Sequence, residues 1–477
     1  MSSNPLLNPP LSVAPLLDAP TPPHGVGRWA WLLFTIYFIS GMTGLAYEVL
    51  WARMLSLQFG VSIFGVVVTV AAFMAGLGGG SLLGARWAGC PSAVGAGMRK
   101  NRRWVRRSSL SPLLIFAMLE GGVGLYALGI PWLQQTVDGA LGGGGAHTSL
   151  AAWYALQGGV ALLLLFVPAL ALGASFPLML KVLESGAAAP PLARMYGLNA
   201  LGGALGALLP LLLLPVLGWS KAIYVVAGIS LCVAATAFLL SLCLRYLRQA
   251  PVTEPVDDAA PPSPALPIPL LSLLAYGGVG AAALMLQVGW TRLFGMILLR
   301  TEYVLAVLLA VFLVGIGVGS LVVRSGKRVG ATTPWFAILP VLAGGMSVLG
   351  LACLPWLAEW VEQARFTSLA GALWRQGLAV AVLTLPVTLV LGAWLPLLTA
   401  RLGGHPAVAP WLYGINSLGA ALGAMAAGFV LIPWLGTPAT LCLAAALLFV
   451  CGMVWAPKTL AARASSWGAM ALIGVLA

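Results

Sequence analysis

Long apolar runs constrain this chain more than any other feature of its sequence. Stretches of about 20 apolar residues recur along its length, and each is long enough to cross a bilayer as an α-helix. Lipid offers no hydrogen-bond partner to backbone N–H and C=O groups, so these runs must be helical, and they lack the alternation of barrel strands. A mean hydropathy of +1.01 and a charged fraction of 7% exclude an ordinary soluble domain. The sequence therefore predicts an all-α polytopic membrane protein with about 12 transmembrane helices.

The chain also contains an internal duplication. A shift of 239 positions carries residues 47–53 onto residues 286–292. The same shift relates two sets of small and aromatic residues, namely Phe73, Gly76, Gly78, Gly80 and Ser81, and Phe312, Gly315, Gly317, Gly319 and Ser320. A later block, Tyr196-Gly197-x-Asn199-x-x-Gly202-x-x-x-Gly206, recurs as Tyr413-Gly414-x-Asn416-x-x-Gly419-x-x-x-Gly423. Order and spacing both hold, which predicts two parallel repeats of six helices each.

Composition divides the chain into five segments. A Pro-rich tail at residues 1–27 is expected to be disordered and cytoplasmic, and residues 28–248 hold the first six-helix repeat. A Pro-rich and acidic cytoplasmic linker follows at 249–267, before the second repeat at 268–457. Residues 458–477 are expected to form a cytoplasmic tail or the beginning of a thirteenth helix, because their apolar part is too short to span a bilayer.

Positive charge sets the expected orientation. With a cytoplasmic N-terminus, all but six of the 24 Lys and Arg residues fall on the cytoplasmic side, the exceptions being Arg53, Lys221, Arg292, Arg300, Arg365 and Arg375. The basic run at 99–107 lies between two predicted helices, so we expect an orientation signal that contacts anionic lipid rather than a nucleic-acid patch. These features predict a multi-pass protein of the cytoplasmic (inner) membrane with both termini cytoplasmic.

At two positions the first repeat has a carboxylate and the second repeat does not. Glu48 becomes Gln287 in the second repeat, and Glu120 aligns with an apolar stretch near Ala343. A carboxylate inside an apolar helix is costly unless it is paired, protonated or hydrated. Two interpretations stay open, namely a structural ion pair or protonated carboxyl bonded to a neighbouring helix, and a cation or proton site between the repeats. Burial favours the neutral form of a carboxyl, as a proton-coupled carrier needs.

Other polar residues complete the candidate substrate or ion site. Glu48 and Arg53 are five positions apart and point about 140° apart around a helix, so a partner from another helix is expected. The repeat-related Arg292 is one candidate. Asn199 and Asn416 occupy the same place in their two blocks, where an amide is expected either to hydrogen-bond across helices or to contribute to the site.

Glycines at four-residue spacing are expected to let helices pack closely rather than to bind a nucleotide. The pairs are Gly76 and Gly80, Gly202 and Gly206, Gly315 and Gly319, and Gly419 and Gly423. In the fourth helix of each repeat, prolines are expected to introduce a kink or a break, and broken helices line cavities in many carriers. These prolines are Pro168, Pro177, Pro386 and Pro396. We find no metal-ligand cluster, nucleophile–base pair or cofactor loop, so no metal, cofactor or catalytic residue is expected.

The repeated blocks resemble the membrane part of the fused MFS/spermidine synthase family, the membrane-bound polyamine aminopropyltransferase-like proteins. The resemblance covers roughly residues 35–455 and is carried by residues 44–53, residues 73–81, the Gly173-Ala174-x-x-Pro177 block and the block that begins at Tyr196. It implies an MFS-like fold and a connection to polyamines. Fused members continue into a soluble domain that binds decarboxylated S-adenosylmethionine and a polyamine. Nothing in this chain resembles its strand–Gly-rich loop–helix unit, so no catalytic residue carries over and enzyme activity is not expected.

Two functions remain open from the sequence. The first is a transporter-like protein for a small solute, cationic or a polyamine by resemblance alone, whose repeats rock about a midplane site near Glu48, Glu120, Arg53 and Arg292. The second is a non-transporting anchor or scaffold that partners a separately encoded aminopropyltransferase. A polar cavity lined by those four residues favours the first function. A solidly packed bundle with a docking surface at 99–107 favours the second. The expected partners are the lipid bilayer and the solute, not nucleic acid.

Overall fold

A computed structural model describes ten ranges of the chain: 29–58, 63–88, 110–142, 149–184, 192–248, 268–298, 302–323, 335–363, 368–402 and 408–456. The regular secondary structure within these ranges is helical. Several predicted segments lie outside the described residues, namely the two tails, the basic run at 99–107 and the linker at 249–267.

The first repeat consists of six membrane-length helices, each apolar enough to span a bilayer over much of its length. They are α1 (Ala30–Gln58), α2 (Ile63–Trp87), α3 (Pro112–Gly142), α4 (Leu150–Glu184), α5 (Leu192–Leu217) and α6 (Trp219–Arg248). The described helices of this repeat thus match the predicted number of six.

The second repeat also provides six crossings, two of which contain an irregularity. Its helices are α7 (Leu270–Ile297), α8 (Glu302–Val322), α9 (Trp335–Ala352), α10 (Leu354–Glu362), α11 (Leu369–Arg401), α12 (Val408–Met425), α13 (Ile432–Leu435) and α14 (Thr437–Val454). Helices α9 and α10 form one crossing that bends by 49°. Helix α12 continues through a π-helical turn, Ala426–Leu431, into α13. The described residues therefore contain 11 spans, or 12 with the bent pair, which confirms the predicted all-α, six-plus-six architecture.

The prolines of the fourth helix in each repeat do not interrupt it. Helix α4 runs through Pro168 and Pro177, and α11 runs through Pro386 and Pro396. The expectation of a broken helix at these positions is therefore wrong. Neighbouring helices can satisfy the carbonyl that each proline leaves without a donor, which lets a membrane helix continue past it. The break in the second repeat falls instead between α9 and α10.

The paired glycines allow backbones to touch in the same way in both repeats. A Cβ atom added at Gly202 or Gly206 on α5 would meet the backbone carbonyls of α1, and one added at Gly419 or Gly423 would meet those of α7. Likewise, a Cβ added at Gly80 would meet the carbonyl of Leu170 on α4, and its counterpart Gly319 faces α11 in the same manner. These contacts fit the expected role of the glycines in close helix packing.

The two repeats meet along two seams, which the duplication relates to each other. In the first seam α2 packs on α12, and the Ser81 hydroxyl donates a hydrogen bond of 2.9 Å to the Pro410 carbonyl. In the second seam α5 packs on α8, and the repeat-related Ser320 donates a hydrogen bond of 2.9 Å to the Ala193 carbonyl. The repeats are therefore joined by the same contacts made twice, as an axis along the membrane normal requires.

Glycines also line both seams. A Cβ added at Gly78 would lie 2.8 Å from the Gly414 carbonyl oxygen, and one added at Gly317 would lie 2.9 Å from that of Gly197. The α2–α12 seam continues from Ser81 to Val67, which is about 21 Å of helix at 1.5 Å per residue. At that far end, Val67 packs on Gly428 of the π-helical turn. Both ends of this seam are thus closed in the structure.

Candidate functional site

A cavity of about 60 Å³ with a partly polar lining lies where α1, α2, α4 and α5 of the first repeat meet α12 of the second. Its polar lining residues are Tyr37, Ser40, Ser175, Asn199 and Tyr413. Its other lining residues are Gly41, Gly44, Leu45, Phe73, Leu77, Leu172 and Phe176. Ser40 and Gly44 lie near the centre of the membrane span of α1, Ala30–Leu55, so the cavity lies at about the middle of the membrane.

Glu120 lies directly behind the wall of this cavity. Its carboxyl is 1% exposed, and the Ser40 hydroxyl, which belongs to a cavity-lining residue, donates a hydrogen bond to Oε1. Its other oxygen, Oε2, has no hydrogen-bond partner among the described residues. The fold thus brings together a serine of α1 and a carboxylate of α3 that are 80 positions apart. Glu120 can act on the cavity through Ser40.

Glu48 lies on the same face of α1 as the cavity. It follows Gly44 by one helical turn, and its carboxyl is 2% exposed. Its Oε2 atom has no hydrogen-bond partner among the described residues, although the Tyr413 hydroxyl lies within electrostatic reach of the carboxyl. Glu48 itself does not line the cavity. The structure therefore places both carboxylates of the candidate site, Glu48 and Glu120, around the same midplane region, one beside the cavity and one behind it.

The two arginines of the predicted site lie away from the cavity. Arg53 is half-buried, beyond Glu48 and near the end of the membrane span of α1, and Arg292 is exposed on α7. Arg292 was predicted to pair with Glu48. It does not bond the Oε2 atom of Glu48, because that atom has no hydrogen-bond partner among the described residues. Gln287, the counterpart of Glu48, is buried at 5% exposure. Glu48, Glu120, Arg53 and Arg292 are not among the residues that line this cavity.

The two asparagines make the same interhelical bond in both repeats. Asn199 Nδ2 donates a hydrogen bond of 2.9 Å from α5 to the Tyr37 carbonyl on α1. Asn416 Nδ2 donates one of 3.0 Å from α12 to the Tyr276 carbonyl on α7. Their expected interhelical role is therefore present in the structure, and Asn199 in addition lines the cavity.

The tyrosines of the duplicated blocks reach across between the repeats. Tyr413 comes from the second repeat but stacks on Phe176 of the first, with ring centroids 4.6 Å apart. It also meets Tyr196 edge to face, with centroids 6.2 Å apart. Each Tyr-Gly-x-Asn block thus bonds its own repeat through the asparagine, while its tyrosine lies at the junction of the two repeats. The cavity is consequently walled by both repeats.

The corresponding place in the second repeat is filled by a tryptophan. The block Gly173-Ala174-x-x-Pro177 recurs as Gly392-Ala393-x-x-Pro396, so Trp394 stands where Ser175 lines the cavity. Trp394 is 1% exposed and packs edge to face on Tyr276, the counterpart of Tyr37, with centroids 5.4 Å apart. A bulky indole therefore occupies the region in which the first repeat has its polar cavity.

Two further substitutions remove polarity and space from the second repeat. Val279 replaces Ser40, and Ala283 replaces Gly44. The sequence predictions missed Ser40, Ser175, Tyr37 and Tyr413 because a lone hydroxyl in an apolar helix carries little signal. A full comparison of the repeats could have flagged both serines, in the way that it flagged Glu48 against Gln287.

Fold and cavity together define a multi-pass helical membrane protein built from two six-helix repeats. The structure is similar to that of the POT family transporter PepTSo, with a TM-score of 0.54 and 14% sequence identity, over 92% of this chain and 98% of that one. An auto-inhibited POT family peptide transporter matches with a TM-score of 0.40 and 14% identity, over 90% of this chain and 96% of that one. No protein-family model and no curated protein matches the chain. At this identity, the likeness to PepTSo establishes the fold and not the substrate.

Proposed function

We propose that this protein is a membrane carrier that moves a small solute across the cytoplasmic membrane by rocking its two repeats about the midplane cavity. The observation that carries the proposal is the polar cavity itself, which lies at mid-membrane and is walled by four helices of one repeat and by Tyr413 of the other. A site shared by two repeats in this way changes shape whenever the repeats move relative to each other.

The seams supply contacts that such a movement can break and remake. Each is lined by glycines and carries a serine-to-carbonyl hydrogen bond, and apolar burial adds little attraction inside lipid. Each such bond contributes only about 1 kcal/mol, so the seams are held mainly by van der Waals packing between α2 and α12 and between α5 and α8. The glycine contacts within each repeat are closer than those at the seams, since a Cβ at Gly80 or Gly206 would lie nearer to a carbonyl oxygen than one at Gly78 or Gly317, which favours movement of each repeat as a unit.

The size of the cavity bears on the class of solute. At about 60 Å³ it exceeds the roughly 10–15 Å³ that one water molecule needs, and it is far below the roughly 300–1,000 Å³ of pockets for drug-sized ligands. A polyamine, which the sequence resemblance suggests as substrate, therefore requires a conformation in which the repeats have moved apart. A small cation fits the cavity as it stands.

Orientation follows from the charge distribution. We place both termini in the cytoplasm, which puts Ser81, Ser320 and the seam contacts beside them on the cytoplasmic side. Residues 28–248 and 268–457 are the two moving repeats, joined by the linker at 249–267.

The second candidate function is a non-transporting scaffold for a separately encoded aminopropyltransferase. The closed seams favour it, because a bundle packed through its middle needs no movement to hold a partner. The polar cavity and the two buried carboxylates favour the carrier, because a static anchor has no use for such costly groups at mid-membrane.

The deciding experiment is uptake of labelled solutes into liposomes that contain the purified protein. Polyamines, amino acids and small peptides are supplied in turn, with and without a pH gradient. The carrier predicts saturable uptake of at least one of these classes above protein-free liposomes. If none of them enters, and the protein instead retains an aminopropyltransferase in a co-purification assay, the scaffold is the correct function.

A further inference from the structure

We infer that the mid-membrane cavity, called the first-repeat cavity because four of its five helices belong to that repeat, binds one monovalent cation. Neutral oxygen atoms hold the cation, and Glu120 is its counter-charge. This assigns an occupant to the cavity on which the proposed function rests.

Three of the five polar side chains that line the cavity, Ser40, Ser175 and Asn199, donate their hydrogen bonds to groups other than an occupant of the cavity. The Ser40 hydroxyl donates to Glu120 Oε1, and the Ser175 hydroxyl donates a bond of 2.6 Å to the Leu172 carbonyl. Asn199 donates its amide to the Tyr37 carbonyl at 2.9 Å. A hydroxyl has one donor and two acceptor positions, and an amide carries a separate acceptor oxygen. What these three side chains retain for an occupant is therefore oxygen lone pairs, which select a cation or another hydrogen-bond donor.

Two properties of the site restrict the class of cation. The side-chain ligands available in the lining are oxygens, which suit hard cations rather than soft transition metals. Of the two buried carboxylates of the region, only Glu120 is hydrogen-bonded to a cavity-lining residue, and Glu48 does not line the cavity, so one positive charge is balanced at hydrogen-bond distance. A divalent ion would leave its second charge without a carboxylate at that distance, which is unfavourable in a region of low dielectric. An alkali-metal or ammonium ion meets both conditions.

Comparison of the two repeats predicts one cation site per chain. In the second repeat, Val279 replaces Ser40, Trp394 replaces Ser175, and the region of Glu120 aligns with apolar residues near Ala343. Oxygen ligand, counter-charge and space are thus all removed at the related position. An ion therefore binds to the first repeat only.

The test measures the melting temperature of the purified protein in detergent at constant ionic strength. Chlorides of sodium, lithium, potassium and ammonium are compared with choline chloride, and magnesium and calcium chloride serve as the divalent arm. A ligand that binds only the folded protein raises its apparent stability in a saturable way. We expect saturable stabilisation by at least one of the four small monovalent cations, and the pattern among them tells a metal ion from ammonium. Stabilisation by divalent ions alone, or by none of the salts relative to choline, would overturn the inference.

Three variants locate the binding. Ser175→Ala removes a lining hydroxyl, and we expect it to lower the affinity for the stabilising cation by about tenfold or more, as loss of a supporting group does at metal sites. Ser347→Ala is the matched control, because Ser347 is also buried and bonds a carbonyl of its own helix, that of Ala343 at 2.8 Å, outside the cavity lining. Equal affinity in the two variants would show that the cation binds elsewhere, and would overturn the inference.

Gly44→Ala keeps the test decisive if Ser175→Ala fails to fold. A Cβ at Gly44 meets only Leu172 side-chain carbons, the nearer at 3.4 Å, so the methyl is accommodated while it occupies cavity space. We expect a folded protein with weaker cation binding, and unchanged binding would contradict the inference. For the wild type, binding of radioactive sodium, or of the cation that stabilises best, is expected to saturate at one ion per chain. Cation binding without solute uptake would support the cation site and contradict the carrier function. Solute uptake without cation binding would support the carrier function and contradict the cation site.

Discussion

Replacement of Gly76 by alanine tests whether α2 and α4 are held at backbone contact. A Cβ at Gly76 would lie 2.5 Å from Ala169 Cβ and 2.9 Å from the Phe166 carbonyl oxygen, whereas ordinary contact begins at 3.4 Å. Neither obstacle can rotate away, since one is a methyl on the helix surface and the other is backbone. The helices must therefore separate locally by about 0.9 Å, and overpacking of this kind costs about 1–3 kcal/mol.

Gly79→Ala is the matched control on the same helix. A Cβ at Gly79 meets only the Phe166 ring, at 3.9 Å, so it adds a methyl without crowding. Both variants gain the same intrinsic helix propensity, about 1 kcal/mol over glycine, and this term cancels in the comparison. Their free energies of unfolding should thus differ by about 1–3 kcal/mol, with Gly76→Ala the less stable.

The assay is equilibrium unfolding in mixed detergent micelles, followed by tryptophan fluorescence. The difference corresponds to about a 5- to 150-fold change in the unfolding equilibrium constant. Equal stability of the two variants would refute the backbone contact between α2 and α4.

Three further outcomes follow from contacts elsewhere in the structure. Asn199→Ala and Asn416→Ala should each lower the free energy of unfolding by about 0.6–1.7 kcal/mol. Only Asn199→Ala should also weaken cation binding, because of the two asparagines only Asn199 lines the cavity. Equal effects of both variants on cation binding would contradict this. Ser81→Ala removes a hydrogen bond between the repeats, so the α2–α12 seam should open more often. A cysteine placed on this seam should then react faster with a thiol reagent. An unchanged rate would show that the bond does not hold the seam closed. Arg375→Gln removes a guanidinium that lies 4.1 Å from the Trp360 ring centroid and donates a hydrogen bond to the Trp360 carbonyl. We expect it to lower the free energy of unfolding, measured with denaturant, by about 0.5–1 kcal/mol. Unchanged stability would show that this contact does not hold α10.

The architecture could be predicted because lipid imposes it. Apolar runs of spanning length must be helices, and glycines at four-residue spacing in both repeats indicated that helices approach closely. The asparagine bonds were also predictable in kind, because an amide inside lipid needs a partner. The partner atom, a carbonyl of α1 or α7, was not predictable without the fold.

The cavity could not be predicted, because its residues are brought together only by lateral packing. Ser40 and Ser175 stand on α1 and α4, and hydrophobic patterns do not specify how far apart two membrane helices lie. Glu120 stood out as a carboxylate in an apolar helix, but its partner Ser40 is 80 positions away. The counterpart relation of Arg292 to Arg53 suggested a paired site, and its exposure near the end of α7 could not be read from the repeat.

Solute flux through a cavity-filling variant tests whether the first-repeat cavity is the working site of a carrier. Initial uptake rates into liposomes are measured for wild type, Gly44→Ala and Gly228→Ala, with the solute that the wild type takes up. Gly228→Ala is the control, because a Cβ there would meet nothing within 4 Å. One added methyl in a binding pocket changes discrimination by about tenfold or more. We therefore expect Gly44→Ala to lose at least about tenfold in uptake while Gly228→Ala keeps the wild-type rate. Wild-type uptake by folded Gly44→Ala would contradict the assignment of transport to this cavity.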